Sequence, residues 1–194
     1  MKVIKIIVLI LLFTSGISLV SAQDSFLLKS STASVQGTSS LHDWESQITQ
    51  VECTGSFQSK NNTLRSMKNV KVTIIVNGIK SKEGKVMDNK TYDAFRSKNH
   101  PLITYSFANA RIRTDKQDSV SITTYGNLTM AGTSQPIELN AKGKILPNGE
   151  LQFSFTRKLK MTDFNMTPPT AMLGTIKVGD EITLNFDMIL AHTL

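Results

Sequence analysis

The sequence contains a single cysteine, Cys53, among its 194 residues. An intramolecular disulfide is therefore excluded, and the stability of the folded chain must come from its hydrophobic core. Proline is also scarce, with 5 residues, and only 19% of the residues are charged, so the composition is neither disordered nor collagen-like. The formal net charge of +7 is spread without a block of like charges, which gives no indication of a nucleic-acid partner.

Long apolar runs are missing except at the N-terminus. Residues 1–22 begin with Lys2 and Lys5, continue with an unbroken apolar run of eight residues from Ile6 to Phe13, and end in small residues. These three parts are typical of a secretory signal peptide. The apolar run is too short to span a bilayer, and no cysteine stands at the cleavage site for lipid attachment. The sequence therefore predicts a cleaved signal peptide at 1–22, a periplasmic or secreted domain at 23–194, and no stable membrane insertion.

Motifs for catalysis and for metal binding are missing as well. His42, His100 and His192 are far apart, and no cluster of His, Cys and carboxylate residues has the spacing of a metal site. The chain contains no nucleophile elbow, zinc-protease motif, P-loop or dinucleotide fingerprint. We therefore predict no catalytic residue, no metal and no cofactor. A small hydrolase or isomerase that uses His42 is kept as a minor alternative.

Alternation of apolar and polar residues dominates the chain from residue 26 onward, which is typical of half-buried strands. The clearest runs are 70–76, 103–107, 120–130, 137–145, 151–155 and 182–190, with further candidates at 26–36, 41–49 and 51–58. The pair Asn148-Gly149 predicts a hairpin between two of these strands. The pattern predicts about eight strands, mostly antiparallel neighbours.

One segment departs from this pattern. Residues 88–96 begin with Asp88 as a capping residue, place Tyr92 and Phe95 three positions apart, and stop before Pro101, so they predict a short helix. Residues 167–170 contain two prolines and are predicted to form a loop.

Antiparallel strands in one domain either pack as two sheets or close into a barrel, because open edges invite aggregation. The pattern alone leaves both arrangements open. A barrel of about eight strands has an interior that side chains can fill or that can hold one small apolar ligand.

The segment Leu41-His42-Asp43-Trp44 combines the most chemical functions. On a strand, alternation places His42 and Trp44 on one face and Asp43 on the other, so His42 and Asp43 cannot pair directly. Two roles remain open for these residues. Trp44 contacts a ligand, or Trp44 is an ordinary core residue with a hydrogen-bonded His42 beside it. Cys53 is predicted to be a small buried hydrophobe.

Methionines form a second hint. Met161, Met166 and Met172 cluster with Phe164 around the proline-containing loop. Flexible thioethers adapt to irregular apolar ligands, but they also fill gaps in ordinary cores.

Several short sequence segments, taken in their order along the chain, resemble the YceI-like family of secreted bacterial proteins, which are often called lipid- or polyisoprenoid-binding. The segments are Leu41-His42-Asp43-Trp44, Met87-Asp88 with residues 101–107, residues 126–137, and residues 161–166 with 178–182. The resemblance implies an all-β fold, an eight-stranded antiparallel lipocalin-like barrel with one short helix, enclosing a long apolar tunnel for an isoprenoid or similar lipid. Where the family has glycine after its Asp-Phe pair, this chain has Asn165, which tolerates positive φ.

Together these features predict a non-catalytic carrier that binds, sequesters or transports a long-chain apolar lipid, such as a polyisoprenoid, a quinone or a fatty-acid-like molecule. The alternative is a secreted interaction module with a filled barrel, and a homodimer is left open. The expected ligand-binding residues are inward positions of strands, loops and helix. They are Trp44, Ile74, Val76, Tyr105, Phe107, Leu128, Phe153, Phe155, Met161, Phe164 and Phe186 along the tunnel, Tyr92 and Phe95 at one end, and His42 at the polar head of the ligand.

Overall fold

The computed structural model describes residues 24–115 and 119–192, and this part of the chain forms strands, one α-helix and three short 3-10 helices. The predicted signal peptide lies outside the described residues. The strands are β1 (Asp24–Ser39), β2 (Trp44–Ile48), β3 (Val51–Lys60), β4 (Thr63–Ile75), β5 (Ile79–Ser81), β6 (Leu102–Thr114), β7 (Ser119–Met130), β8 (Thr133–Ile145), β9 (Leu151–Lys160), β10 (Thr170–Ala171) and β11 (Ile176–His192). The α-helix, α1, is Lys85–Ala94, and the 3-10 helices span Val76–Gly78, Met161–Phe164 and Met172–Gly174. No helix in the described ranges is long and apolar enough to cross a membrane.

The strands close into a barrel. Neighbouring strands follow the order β11, β9, β8, β7, β6, β4, β3, β1, and β1 pairs back with β11. The closing ladder runs from Phe26 opposite His192 to Ser39 opposite Val178. This closure selects the barrel over two packed sheets. It confirms the prediction of an eight-stranded antiparallel barrel with one helix.

Two of the eight strand positions contain a break. β2 and β3 lie end to end beside β1, and β4 and β5 lie end to end with the first 3-10 helix between them. Backbone hydrogen bonds hold the breaks together, from Thr49 N to Gly78 O at 2.9 Å and from Ile75 N to Gln50 O at 3.1 Å. The barrel end beyond these breaks carries α1, which contacts β5.

Tight turns connect the hairpins. β8 and β9 are joined by the Asn148–Gly149 turn, with Ile145 opposite Leu151, which confirms the predicted hairpin. Between β7 and β8, Ala131 and Gly132 have φ angles of 51° and 81°. Positive φ at both central residues is the signature of a type I′ turn, whose twist matches that of the strands.

The helix begins earlier than the prediction of 88–96, and Asp88 is not its cap. α1 starts at Lys85, directly after Gly84, whose φ of 84° suits glycine. The Asp88 carboxylate is buried and accepts a hydrogen bond from Ser81 N at 2.7 Å. The aspartate therefore fastens the helix to β5.

Inward side chains fill most of the barrel. At the end distant from α1, the Phe57 ring packs edge-on against Phe26 at 5.1 Å and stacks on Phe153 at 5.7 Å between ring centroids. The prediction for Cys53 is confirmed, because it is 3% exposed and burial raises the pKa of its thiol to about 12.

β8 and β9 separate toward the helix end. They pair only through residues 142–145 of β8. Beyond that point, Gln135 Nε2 donates to Asp163 O at 3.0 Å. Arg157 occupies an inward position of β9 opposite Leu184, and its Nε is buried without a hydrogen-bond partner among the described residues.

Candidate functional site

An apolar pocket of about 390 Å³ opens at the barrel end that carries α1. Four segments surround it: the loop after β1, the helix α1, the 3-10 helix 161–164 with Met166, and the chain from residue 169 to 178. Its floor is formed by inward side chains of the barrel, including Val35 and Ile182. We call this site the mouth pocket.

One face of α1 covers the mouth pocket. Val86, Met87, Lys90, Thr91 and Ala94 all line it. These positions are one, three and four residues apart, so they lie on one side of a helix with 3.6 residues per turn. The opposite side is polar, which explains why α1 covers an opening instead of forming a second layer.

The helix is tied to the barrel wall by Tyr92. The Tyr92 hydroxyl donates to Asn77 O at 2.9 Å and lies 2.5 Å from Lys80 Nζ. Tyr92 therefore positions α1 from outside the mouth pocket. The neighbouring Phe95, just beyond the last helical residue, does line the pocket.

Methionine side chains form the wall opposite the helix. Met161, Met166 and Met172 line the mouth pocket, and Phe164 is 1% exposed behind them. The chain turns between them at Asn165, with φ 55° and ψ 29°. The expectation that Asn165 adopts positive φ in place of glycine is confirmed.

A carboxylate on β11 holds this wall in place. Asp180 Oδ1 accepts from Thr162 N at 2.9 Å, and Oδ2 accepts from the Thr162 hydroxyl at 2.6 Å. These hydrogen bonds lower the pKa of the Asp180 carboxyl. The N-cap residue of this 3-10 helix makes no capping hydrogen bond with its side chain, and Asp180 caps the helix from β11 instead.

The prediction that His42 and Trp44 share a strand face is wrong. Residues 40–43 form a loop, and β2 begins only at Trp44. The Ser39 hydroxyl organises this loop, because its oxygen accepts from His42 N at 3.1 Å and it donates to His42 O at 2.7 Å. The local hydrogen bonds compete successfully with strand pairing. His42 and Trp44 nevertheless both line the mouth pocket.

The pocket has few ionisable groups. His42, Glu83 and Lys90 lie on its lining. The His42 ring pairs through Nδ1 with the backbone oxygen of Asp43 at 2.7 Å, and no carboxylate hydrogen-bonds to it among residues 24–115 and 119–192. The described residues contain no group of three or more potential metal ligands. The arrangement can therefore hold an apolar chain and present a few polar groups to its end.

A second, smaller cavity of about 80 Å³ lies inside the barrel. It shares no lining residue with the mouth pocket. Its main polar feature is a hydrogen bond of 2.6 Å between the hydroxyls of Tyr105 and Thr124. Burial raises the pKa of the Tyr105 hydroxyl. In place of one continuous long tunnel, which the family resemblance implies, the described residues line two cavities that have no lining residue in common.

The structure distributes the predicted ligand-binding residues over three places. His42, Trp44, Phe95 and Met161 line the mouth pocket. Those lining the inner cavity are Tyr105, Phe107, Leu128, Phe153 and Phe155. Neither cavity is lined by Ile74, Val76, Tyr92, Phe164 or Phe186. Ile74, Val76 and Phe164 are buried core residues, and Phe186 stacks on Phe155 with ring centroids 4.9 Å apart.

Several pocket residues were absent from the predicted set. They come mainly from α1 and from β11, and include Val86, Met87, Ala94, Ile176 and Val178. The spacing of Met87, Thr91 and Ala94 along a predicted helix could have identified the first group. Nothing in the local sequence indicates that Ile176 and Val178 would meet that helix.

Comparison with known proteins places these features in a family. A sequence model described as the YceI-like domain matches residues 26–190. No curated protein sequence matches the chain.

Solved structures share the fold. The chain resembles a polyisoprenoid-binding domain from Saccharophagus degradans, implicated in plant cell wall breakdown, with 10% identity, a TM-score of 0.66, and coverage of 89% of this chain and 100% of that one. It also resembles Burkholderia cenocepacia BcnA, with 17% identity, a TM-score of 0.61, and coverage of 83% and 96%. The YCEI protein of Campylobacter jejuni has 22% identity, a TM-score of 0.54, and coverage of 75% and 85%.

Proposed function

The chain belongs to the YceI-like family, and we propose that it binds the hydrocarbon chain of a polyisoprenoid or similar long-chain lipid in the mouth pocket, without covalent chemistry. The polyisoprenoid-binding domain from Saccharophagus degradans, which has the same fold, supports this class of ligand. The predicted signal peptide at residues 1–22 supports a place of action outside the cytoplasm, in the periplasm or the medium.

The observation that carries this proposal is the apolar lining of the mouth pocket. Its volume of about 390 Å³ falls in the range typical of small-molecule sites. Each methylene group removed from water contributes about 0.8 kcal/mol, so a chain that fills the pocket binds without specific polar contacts. Methionine side chains on one wall adapt to chains of different shape.

The polar end of the lipid belongs at the rim. His42 and Lys90 lie on the lining next to the opening, where a hydrogen-bond donor or a positive charge meets a head group without being buried. The hydrocarbon then points toward the barrel floor at Val35 and Ile182. In this proposal the cargo occupies the mouth pocket and not the inner cavity, which has no lining residue in common with it.

The same geometry argues for binding and against hydrolysis or isomerisation. A general base needs a group that orients it and a reacting atom within hydrogen-bond distance. His42 pairs with a backbone carbonyl, and its ring has no carboxylate partner in the described ranges. We therefore propose His42 as a polar contact for the head group.

The cargo can be identified by mass spectrometry of an organic extract of protein purified without detergent. We expect a stoichiometric prenyl or acyl species in the native sample, and none in protein that has been unfolded, washed and refolded. An empty extract from well-folded protein of the native host contradicts the proposal and favours an interaction module.

A variant that fills the pocket tests the site itself. Ala94→Trp places an indole in the mouth pocket, and we expect it to weaken binding of a fluorescent polyene fatty acid by at least about tenfold. Ala108→Trp is the matched control, because Ala108 is exposed on β6. Equal binding by both variants places the lipid elsewhere.

A further inference from the structure

The wall of the barrel is open between β8 and β9. Ladder pairing of these two strands ends at Lys142 opposite Ser154. From there to the helix end, residues 133–141 of β8 pair with β7 alone and residues 155–160 of β9 pair with β11 alone, in the part of the chain that the structure describes. We call the opening between these two stretches the wall gap.

The wall gap leads from the outer surface to the inner cavity. An open cleft of about 650 Å³ lies on the barrel where the two strands begin to separate, and residues 140–142 of β8 and 154–156 of β9 line it. The cleft has Ile122, Ala141 and Phe155 in common with the inner cavity. The inner cavity therefore adjoins the surface through the side of the barrel and not through the mouth pocket.

A charged side chain stands at an inward position beside this cleft. Arg157 directly follows the β9 residues that line the cleft and lies opposite Leu184 of β11. It is two positions from Phe155 on the same face of the strand, a distance of about 7 Å. The other inward positions of β9 are apolar, namely Leu151, Phe153, Phe155 and Leu159. Arg157 thus interrupts the apolar row at the wall gap.

The Arg157 guanidinium lacks a counter-ion. Its Nε is buried without a hydrogen-bond partner, and no acid among the described residues forms an ion pair with it. Hydrogen bonds from Asn140 and Tyr125, together with the charges of Arg157 and Arg111, lower the pKa of Glu138, but Glu138 lies on the outer face of the barrel. Because removing a charge from water is costly, arginine is rarely buried without a partner. An anion in the wall gap supplies that partner.

Two hydroxyl groups lie within electrostatic reach of the same guanidinium. Tyr105 and Thr124 line the inner cavity, and their hydroxyls hydrogen-bond to each other at 2.6 Å. Burial raises the pKa of Tyr105, whereas the hydrogen bond with Thr124 and the positive charge of Arg157 act in the opposite direction. Arg157 and the two hydroxyls therefore form the polar side of a space whose other walls are mainly apolar.

We propose that the wall gap binds a carboxylate with a short hydrocarbon tail, with the carboxylate at Arg157 and the tail in the inner cavity. The planar guanidinium donates through a fork that matches the two oxygens of a carboxylate. One unpaired cation suits a single negative charge, because Lys142 of the cleft already pairs with Asp115 at 2.8 Å. The inner cavity has a volume of about 80 Å³, which limits the tail to a short one. This site is separate from the mouth pocket, so the inference does not rest on the proposed function.

Calorimetric titration with hexanoate tests the wall gap. The protein is unfolded, washed and refolded beforehand, so that retained lipid is removed. We expect saturable binding that Arg157→Met weakens by at least about tenfold, because the variant removes every donor of the guanidinium. Arg157→Lys should keep part of the affinity, since the charge remains and the fork is lost. Hexanamide has the same tail without the charge and should bind more weakly than hexanoate.

Two control variants show where the carboxylate lies. Arg111→Met makes the same replacement at an exposed position of β6 and should bind hexanoate like the unchanged protein. Ala94→Trp fills the mouth pocket and should also leave this binding unchanged. Loss of hexanoate binding in Ala94→Trp, with full binding in Arg157→Met, places the carboxylate in the mouth pocket and overturns the proposal. Absence of hexanoate binding to the unchanged protein overturns it as well.

Stability measurements separate a ligand site from a structural contact. Hexanoate should raise the free energy of unfolding of the unchanged protein and not that of Arg157→Met. Equal destabilisation by Arg157→Met and Glu138→Gln, without any effect of hexanoate, overturns the proposal and assigns Arg157 to an ion pair with Glu138.

The polyene fatty acid distinguishes this site from the cargo site. Arg157 does not line the mouth pocket, so Arg157→Met should keep its affinity for this probe while it loses hexanoate. Uptake of the polyene fatty acid without hexanoate binding supports the mouth pocket and contradicts the wall-gap site. Hexanoate binding that depends on Arg157, without uptake of the longer probe, supports the wall-gap site and contradicts the cargo site.

Discussion

Gly37 and Trp44 face each other across β1 and β2, and the indole of Trp44 occupies the space that a side chain at position 37 needs. A Cβ atom built on Gly37 lies 2.5 Å from Cζ2 of the indole. The indole is also held by a hydrogen bond from its Nε1 to Thr38 O at 3.0 Å. Gly37 therefore determines where the largest side chain of the mouth pocket lies.

Gly37→Ala should push the indole out of place. We expect a loss of about 1–3 kcal/mol in the free energy of unfolding, because the ring is rigid and hydrogen-bonded. Urea denaturation measures the change. The double variant Gly37→Ala, Trp44→Leu is the control, since a smaller side chain at position 44 relieves the clash. The same cost of Gly37→Ala in both backgrounds contradicts this contact.

Trp44 should report cargo binding, because it is the sole tryptophan of the chain and lines the mouth pocket. We expect a saturable blue shift of tryptophan emission on addition of a long-chain fatty acid or prenol, since the ligand replaces water next to the half-buried indole. Butanoate shares the carboxylate but cannot fill the pocket, and should leave the spectrum unchanged. A response to both molecules points to a head-group effect at another site.

Asp180→Ala should loosen the methionine wall. The variant removes both hydrogen bonds to Thr162, and we expect a loss of about 1 kcal/mol in unfolding free energy at neutral pH. Because the pKa of Asp180 is lowered in the fold, its contribution is complete above the ordinary carboxyl value of 3.8 and disappears as the pH falls through the folded pKa. Denaturation at pH 7 and pH 3 should therefore show a smaller difference at pH 3 than at pH 7.

Asp163→Ala is the control for that experiment. Asp163 lies in the same 3-10 helix, but its side chain makes no hydrogen bond or ion pair within residues 24–115 and 119–192. Its replacement should leave stability within about 0.5 kcal/mol at both pH values. A pH-independent cost of Asp180→Ala contradicts the role of the carboxylate charge.

Arg157→Met should increase stability. The buried Nε of Arg157 lacks a partner among the described residues, and an unsatisfied buried donor costs about 1–3 kcal/mol. Methionine keeps most of the apolar stem, so we expect a gain of about 1 kcal/mol in the free energy of unfolding, measured by urea denaturation. Arg111→Met, at an exposed position of β6, should be neutral. A loss of stability in Arg157→Met alone shows that the guanidinium makes a stabilising contact.

Local patterns in the chain predict much of the fold. The alternation of residues 70–76 and 182–190 identifies strands because one face of each lies against the core, and Asn148-Gly149 identifies a hairpin because that turn needs positive φ. Asn165 adopts the turn expected from its place in the family pattern. Each of these features depends on neighbours in sequence.

The mouth pocket could be predicted only in part. Of the predicted ligand-binding residues, Trp44, Met161 and Phe95 line this pocket, whereas Ile74 and Val76 are buried core residues that line neither cavity. Strand alternation separates inward from outward side chains, but it does not say which inward side chains border a cavity. His42 was placed on a strand because nothing in the alternation reveals that Ser39 would bind the backbone of a loop.

The amino-acid sequence by itself determined most of the strands, the Asn148-Gly149 hairpin and the family, because these depend on residue spacing and on short-range backbone chemistry. Only the tertiary structure decided that β1 closes on β11, that α1 covers the barrel end, and that Met172 and Leu173 remain exposed beside the opening. The physical reason is that the mouth pocket is formed by segments more than one hundred residues apart. Their meeting depends on the register of the closed barrel, and no local pattern records that register.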